Sequence, residues 1–406
     1  MKRNIYAFLF AFTISLLILF SSSLIPKSAV HQNIYESCLI LENNNVVKLF
    51  YENDLASRYD INSDSLILNI VYNGDSLDII NASLKHSYYN DGNNLLSSLK
   101  ECLNNNEEPN EDYLYNWWGS IALFRLMLVF FNINDIRFVF LVLFVVSFVL
   151  VLFSLLGSKC YRTFFIYAVS LIAFRFYLGM FSLDSIICLI ITNIMSYFVV
   201  RHSRYIEQIL IVSGMLISFF SLFTMETISL TIPLMIYLIS KYELNNKYCI
   251  TSYSFMRLIA SWVLSFLVTS LSKVVLCSAL YGLSISSVIH NGSLNGIDIA
   301  SSEISLAYNI RNIVNLNGSY VFPLVILCIT VLVSYLLLSR NSISRISIYL
   351  FIIGMIPIFR IFILNTESYV SSYTSYRSLV VSFMFILFLL FFQIRSSSDV
   401  YREKRV

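Results

Sequence analysis

The sequence predicts an all-α polytopic membrane protein of about ten transmembrane helices. Three observations carry that reading. Of its 406 residues, 57% are hydrophobic and 13% charged, where a soluble domain carries about 25% charged residues. Apolar runs of about 20 residues, long enough for a hydrocarbon core of about 30 Å, recur from end to end. Lysine and arginine sort onto alternate loops, as the positive-inside rule expects. The mean hydropathy of +0.74 and the aromatic content of 16% agree, since aromatic rings collect at membrane interfaces.

The first apolar run, Ile5–Leu24, follows Met1-Lys2-Arg3. It is longer than a signal-peptide core of about 7–15 residues and lacks a clean small-x-small cleavage site, so it reads as an uncleaved first span over 4–25. Further spans are expected at 135–157, 161–180, 183–200, 206–224, 225–240, 254–281, 319–338, 346–364 and 376–394. With Met1 inside, the basic groups Lys159/Arg162, Arg201/Arg204, Lys241/Lys247/Arg257, Arg340/Arg345 and the tail from Arg395 all fall on the inner face. Both termini are then on that side.

One stretch decides this topology. YNWWGSIALFRLMLVFFNINDIRF, Tyr115–Phe138, is apolar enough to enter a membrane but carries Arg125 in its middle. If 118–133 crossed separately, every later loop would invert and the basic loops would face outward. It therefore reads as an interfacial or re-entrant helix on the outer face, with Trp117 and Trp118 at the interface and Arg125 snorkelling from it. The resulting organisation is a first transmembrane helix (1–25), an outer cap with the interfacial helix (26–134), a transmembrane bundle (135–281), an outer loop (282–318), and C-terminal transmembrane helices with a short inner tail (319–406).

The cap segment 26–117 holds 14 acidic and 5 basic residues, so the remainder of the chain must carry about +12 to give the total of +3. An acidic cap is unlike a nucleic-acid binder. Periodic apolar stretches such as SLILNIVY point to an ordered cap. Two of the seven cysteines, Cys38 and Cys102, lie in it, where a disulfide persists if the geometry allows. Whether they pair stays open at this stage. The four histidines (His31, His86, His202, His290) are scattered and no CxxC occurs, so neither a metal nor another cofactor is expected. Without a Walker-type loop or a GxGxxG, nucleotide hydrolysis is not suggested.

Charged groups in or beside spans are costly and are functional candidates by default. Apart from the inner face and the cap, seven basic residues remain: Arg125, Arg137, Arg175, Lys273, Arg311, Arg360 and Arg377. All fall on the outer half of the expected topology, near Asp135, Asp184 and Glu226. Taken singly, each reads best as a side chain snorkelling to headgroups. Taken together, cations at one depth on different helices suggest a cavity for a lipid-borne phosphate, which arginine suits through its planar fork of donors. Glycosyl transfer from a lipid phosphate needs cations for the leaving group and a carboxylate for the acceptor proton.

The layout, a long loop after the first span containing an interfacial helix with cations near the outer surface, resembles the GT-C superfamily of membrane glycosyltransferases. Locally, SRYDINSDSLILNIVY (57–72), NWWGSIALFRLMLVFFNINDIR (116–137) and SYTSYRSL (372–379) resemble segments of a group of bacterial polytopic proteins. That group carries an R-x-D-x-x-x-D run, here Arg58, Asp60 and Asp64. It has Trp-His-Gly where this chain has Trp117-Trp118-Gly119, and an Asp where this chain has Ser221, so Glu226 would have to stand in. Among functional relatives, the resemblance is to O-antigen glucosyltransferases of serotype-converting phages.

The resemblance implies an enzyme of the bacterial inner membrane with a periplasmic cap and cytoplasmic termini. It would move a sugar, glucose being one candidate, from undecaprenyl phosphate to lipid-linked O-antigen or another surface glycan. A donor-making synthase and a small flippase are the expected partners. The ranking for the base is Asp64 and Asp60, then Glu226, then Asp135, although a polar turn explains Asp60 and Asp64 as well. Arg58, Arg125, Arg137, Arg175, Lys273, Arg360 and Arg377 are the candidate lipid-phosphate ligands. The alternative is an O-antigen or capsule repeat-unit polymerase, although those more often carry the large loop in the second half. A lipid-linked oligosaccharide flippase fits less well, for want of repeated halves.

Overall fold

The computed structural model describes residues 2–43, 60–74, 78–92, 94–221, 225–245, 248, 250–292, 345–363 and 376–403, with the backbone alone for 289–292 and 393–403. Arg58, Arg311, the span expected at 319–338 and most of the loop 282–318 lie outside the described residues.

Among the described residues the structure is all-α apart from one small ladder. The helices are α1 (Lys2–Ser22), α2 (Lys27–Asn43), α3 (Ile61–Asn73), α4 (Ile79–Lys85), α5 (Leu95–Asn105), α6 (Ser120–Leu128), α7 (Ile133–Gly157), α8 (Tyr161–Ala173) and α9 (Leu183–Arg201). There follow α10 (Ile206–Phe220), α11 (Ile228–Leu244), α12 (Ser252–Tyr281), α13 (Ile285–Gly292), α14 (Arg345–Ile363) and α15 (Val380–Glu403). β1 (Ser87–Tyr88) and β2 (Glu111–Asp112) pair antiparallel, Ser87 opposite Asp112.

Among the described residues, six helices are long and apolar enough to cross a membrane: α1, α7, α9, α10 with the 3-10 turn before it, α12 and α14. Helix α7 exposes Phe138, Val142, Val146, Val149 and Phe153, a stripe suited to lipid rather than water. The span expected at 161–180 is shorter than that. Helix α8 stops at Ala173, because Arg175 takes a left-handed backbone (φ 51) and a 3-10 turn, Phe176–Phe181, follows. No proline or glycine marks that break until Gly179, so the apolar run conceals it.

The helix ends are sorted. Asn4 donates to Glu207 Oε1 (2.9 Å), Gln208 donates to Asn4 (2.8 Å), and Arg257 pairs with Glu207 (3.1 Å). These contacts gather the starts of α1, α10 and α12. The Glu243 carboxylate at the end of α11 accepts the Arg162 and Thr163 N–H groups (2.7 and 2.9 Å), capping the start of α8. The opposite end of the bundle carries α2 to α6 and the ladder. Here α3 is buried without interruption from Asp64 to Tyr72, between α2, α5 and α6. SLILNIVY is thus the centre of the cap and helical.

The stretch from Tyr115 to Phe138 does not cross as a span of its own. Helix α6 has nine residues, about 13 Å at 1.5 Å per residue, well short of a hydrocarbon core. Nor does it lie at an interface. Trp117 and Trp118 are 2% and 0% exposed. The Trp117 indole donates to Thr269 O (2.9 Å) and stacks on Phe219 at 5.3 Å. Gly119 lets the chain approach α10: its N–H donates to Phe219 O (2.7 Å), and a Cβ there would sit 2.2 Å from the Phe219 ring. Arg125 does not snorkel. It is 2% exposed and donates to Ile25 O (2.5 Å) and Val71 O (2.7 Å). Its five donors in a rigid fork suit two carbonyls left over at chain turns and helix ends.

Cys38 and Cys102 do not form a disulfide; both are free and buried. Although α2 and α5 pack together, the Cys102 thiol turns to Glu107 O (3.4 Å) and Asn73, while Cys38 lies near Glu42 and Lys100. Burial pushes the Cys38 thiol up to about 11, which keeps it an unreactive thiol.

Replacing Arg125 by methionine preserves bulk but strips two buried carbonyls of their donors. We expect a loss of about 2–5 kcal/mol, seen as a lower thermal unfolding midpoint of the detergent-purified protein, with partial recovery in Arg125→Lys.

Candidate functional site

The cap meets the bundle where two helix N-termini face each other. Asp60 is the N-cap of α3 and accepts the Ser63 N–H (3.3 Å); Ser182 is the N-cap of α9 and accepts the Ser185 N–H. The caps interlock, the Asp60 N–H donating to Phe181 O (3.1 Å) and the Ser182 hydroxyl to Asp60 Oδ2 (3.3 Å). One turn on, the wholly buried Asp64 accepts the Leu183 N–H on Oδ1 (3.0 Å) and the Arg137 guanidinium on Oδ2 (2.5 Å). Each carboxylate thus sits at the positive end of a helix dipole.

Local sequence explains this. A short polar residue before an apolar run starts each helix, Asp60 before INSDSLIL and Ser182 before LDSIICLI. Asn132 likewise starts α7 in a capping box with Asp135, which sets Arg137 at the start of the second turn, within reach of Asp64.

The two acids differ. Burial, then the neighbouring Asp64 charge, pushes Asp60 up to about 6, against the hydrogen bonds from Ser63 and Ser182. Burial also raises Asp64, opposed by Arg137 and the Leu183 N–H. Asp64 is committed on both oxygens, whereas Asp60 is half-buried and lies at the cap edge. Asp60 suits proton transfer near neutral pH, and Asp64 suits holding geometry.

A second acid–arginine pair lies on the other side of α9. The Arg360 Nε on α14 donates to Glu226 Oε1 (2.6 Å) at the turn between α10 and α11; the side chains are 3% and 9% exposed. Cys188, two turns into α9, donates to Met225 O (3.5 Å), tying that turn to α9. Asp184, Glu226 and Arg360 all lie within Coulombic range of Cys188. Arg377 is buried on the 3-10 turn Tyr376–Leu379, which packs on α14 and α15. A layer of acids and arginines therefore runs across one end of the bundle.

Not all expected residues join it. Lys273, fully buried on α12, donates to Asn116 O and to Tyr113 O (3.5 Å). Like Arg125, it holds backbone carbonyls. Arg175 is half-buried at the end of α8, and Asp135 is exposed in its capping box. The set of seven cations expected from sequence thus resolves into Arg137 and Arg360 paired with acids, Arg377 buried on a turn packed against α14 and α15, two carbonyl clamps, Arg175 at the end of α8, and Arg58 outside the described residues.

Sequence reasoning missed Ser182 and His86. The N-cap pattern FSLDS would have marked Ser182. His86 is 1% exposed, with Nε2 2.7 Å from Trp117 O, and burial with the Lys273 charge holds it well below its ordinary range. Nothing in sequence marks His86, because a fold contact between residues 31 apart buries it. His86, Arg125, Ser22, Ser23 and Ser83 line a cavity of about 20 Å³, room for about one water. Among the described residues, no group of three or more His, Cys, Asp or Glu side chains is arranged to hold a metal ion.

Comparison of the chain with family models, curated proteins and solved structures finds no match.

The raised Asp60 carboxyl has a stability consequence. Its folded value of about 6 exceeds the ordinary 3.8, so the folded state holds the proton more tightly than the unfolded state. Its contribution is most favourable below about pH 4 and is lost as pH rises to about 6. Asp60→Asn should therefore gain stability relative to wild type between pH 4 and 7. The gain is about 1–2 kcal/mol, less than the full shift because water screens a half-buried group. Denaturant unfolding in detergent across that range checks it.

Proposed function

We propose that the protein is a membrane glycosyltransferase. It moves a sugar from undecaprenyl phosphate to a lipid-linked glycan, O-antigen or another surface polymer, on the outer face of the bacterial inner membrane. The observation that carries this reading is the Asp60 carboxyl, raised to about 6 and held by Ser182 beside the Asp64–Arg137 pair. A base of this kind, next to buried arginines at one end of an apolar bundle, is what transfer from a lipid phosphate requires.

In the proposed reaction, Asp60 takes the proton of an acceptor hydroxyl. The oxygen attacks the anomeric carbon, the bond from that carbon to the phosphate oxygen breaks, and the lipid phosphate leaves with the electron pair. Cations of the layer, with Arg377 the first candidate, stabilise the leaving charge. Asp64 positions Asp60 by fixing α3 against α9. The topology belonging to this reading has about ten crossings, a periplasmic cap and cytoplasmic termini. The sorting of helix ends supports it: Lys159, Arg162, Arg201, Arg204, Lys241, Arg257 and Arg345 all lie at the end away from the cap.

The test is the surface glycan of a host carrying the wild-type gene, a deletion or Asp60→Asn. Both altered strains should give a repeat unit lighter by one sugar with the ladder of chain lengths retained. The remaining transfer in Asp60→Asn should be roughly a hundredth or less of wild type. Collapse of the ladder to one repeat of unchanged mass would instead identify a repeat-unit polymerase. Unchanged glycans would contradict both.

A further inference from the structure

The buried course of the stretch 115–138 ends at Arg125. The nine residues that follow, 126–134, carry no charge, and exposure changes along them. Leu126, Phe130 and Phe131 are exposed, Phe130 by 72%. The two phenylalanine rings lie side by side, centroids 6.4 Å apart. Left open to water, they forgo the gain that burial gives an apolar side chain. Three hydrogen bonds fix where they sit. Arg125 donates to Ile25 O (2.5 Å) in the turn between α1 and α2, the Asn33 side chain donates to Leu128 O (2.9 Å), and the Ile133 N–H donates to Ser37 Oγ (2.9 Å). Residues 125–133 and helix α2 therefore run side by side in the same direction, from the end of α1 to the start of α7.

Both ends of this strip reach surface suited to lipid. Helix α1 turns Leu17 outward, and Leu24, 66% exposed, extends that face past the end of the helix. Helix α7 carries the apolar stripe that begins at Phe138. From Ile133 to Phe138 the helix rises about 8 Å, comparable with the headgroup layer outside a hydrocarbon core. An exposed apolar strip that continues a lipid-facing surface at both ends fits the same lipid. A surface meant for water carries charge; here the nearest charges are Arg125, which is buried, and Asp135, which caps α7.

We infer that Leu24, Leu126, Phe130 and Phe131 form a membrane seat. The edge of the cap between α1 and α7 dips into the leaflet on the cap side, and its partner is the acyl chains of phospholipid. Helix α6 itself stays packed within the cap, so the turn that leaves it meets the bilayer, and the Trp117–Trp118 pair does not. Because α3 packs against both α2 and α6, the seat sets the height of Asp60 and Asp64 over that leaflet. The inference stands whether or not the protein transfers a sugar.

The test is photo-crosslinking of the full-length protein in vesicles of palmitoyl-oleoyl phosphatidylcholine. Phe130→p-benzoylphenylalanine keeps an aromatic ring at the seat and inserts into C–H bonds within reach on illumination. Val146→p-benzoylphenylalanine, on the lipid stripe of α7, is the positive control. Glu108→p-benzoylphenylalanine, on an exposed loop of the cap, is the negative one. The intact-protein mass should rise by one phospholipid for the labels at 130 and 146 and stay unchanged for the label at 108. No lipid adduct at 130, with one at 146, overturns the inference and leaves the strip facing water. Covalent pairing of two chains from position 130 overturns it too and makes the strip a contact between copies of the protein. So does an adduct at 108 as strong as that at 130, since the strip would then be no nearer to lipid than the loop. Phe131→p-benzoylphenylalanine is the second variant, should the first not fold.

Discussion

One buried carboxylate holds the cap on the bundle. Asp64 accepts from Arg137 on α7 and from the Leu183 N–H on α9, partners 73 and 119 residues away in the chain. A carboxylate inside a protein is costly unless a charge and hydrogen bonds compensate it, and here both are supplied at one point. Removing either partner would leave an uncompensated charge, a loss of about 3–5 kcal/mol. The pair thereby fixes where α3 lies, and with it Asp60, Ser182 and the interlocked caps.

From that constraint follows a division of labour among the charged groups. Arg125 and Lys273 spend their donors on carbonyls at the turns that enter and leave the cap. Arg137 and Arg360 each pair directly with a buried acid. Asp60 is the acid whose setting, lifted by burial and then by the Asp64 charge, matches a base rather than a strut. The buried arginines of this membrane protein are therefore structural as often as they are functional, and only contacts separate the two.

Sequence carried the class of fold well, because apolar length and basic-loop asymmetry are properties of single segments. From charge bias alone it read 118–133 as no separate span, and it singled out Asp60, Asp64, Arg137, Glu226 and Arg360 as unusual. What it did not show depends on long-range packing. Trp117 and Trp118 looked interfacial because tryptophan favours interfaces; the approach of α10 through Gly119 buries them instead. Cys38 and Cys102 shared a compartment but not a geometry. The pairing of Asp64 with Arg137, and of Glu226 with Arg360, joins positions 73 and 134 apart, beyond any local pattern. The early end of α8 rests on one left-handed residue, Arg175, of a type that rarely adopts that conformation.

The most direct measurement is transfer by the purified protein in proteoliposomes. Radiolabelled sugar would be supplied on undecaprenyl phosphate, with the lipid-linked glycan as acceptor, for wild type, Asp60→Asn and Asp64→Asn/Arg137→Met. The account predicts label in the glycan with wild type, a rate that rises with pH through about 6 as Asp60 loses its proton, and near-complete loss in Asp60→Asn with the fold intact. The double variant should lose activity in step with loosening of the cap. Undiminished transfer by Asp60→Asn, or no transfer by folded wild-type protein with donor and acceptor present, would contradict it.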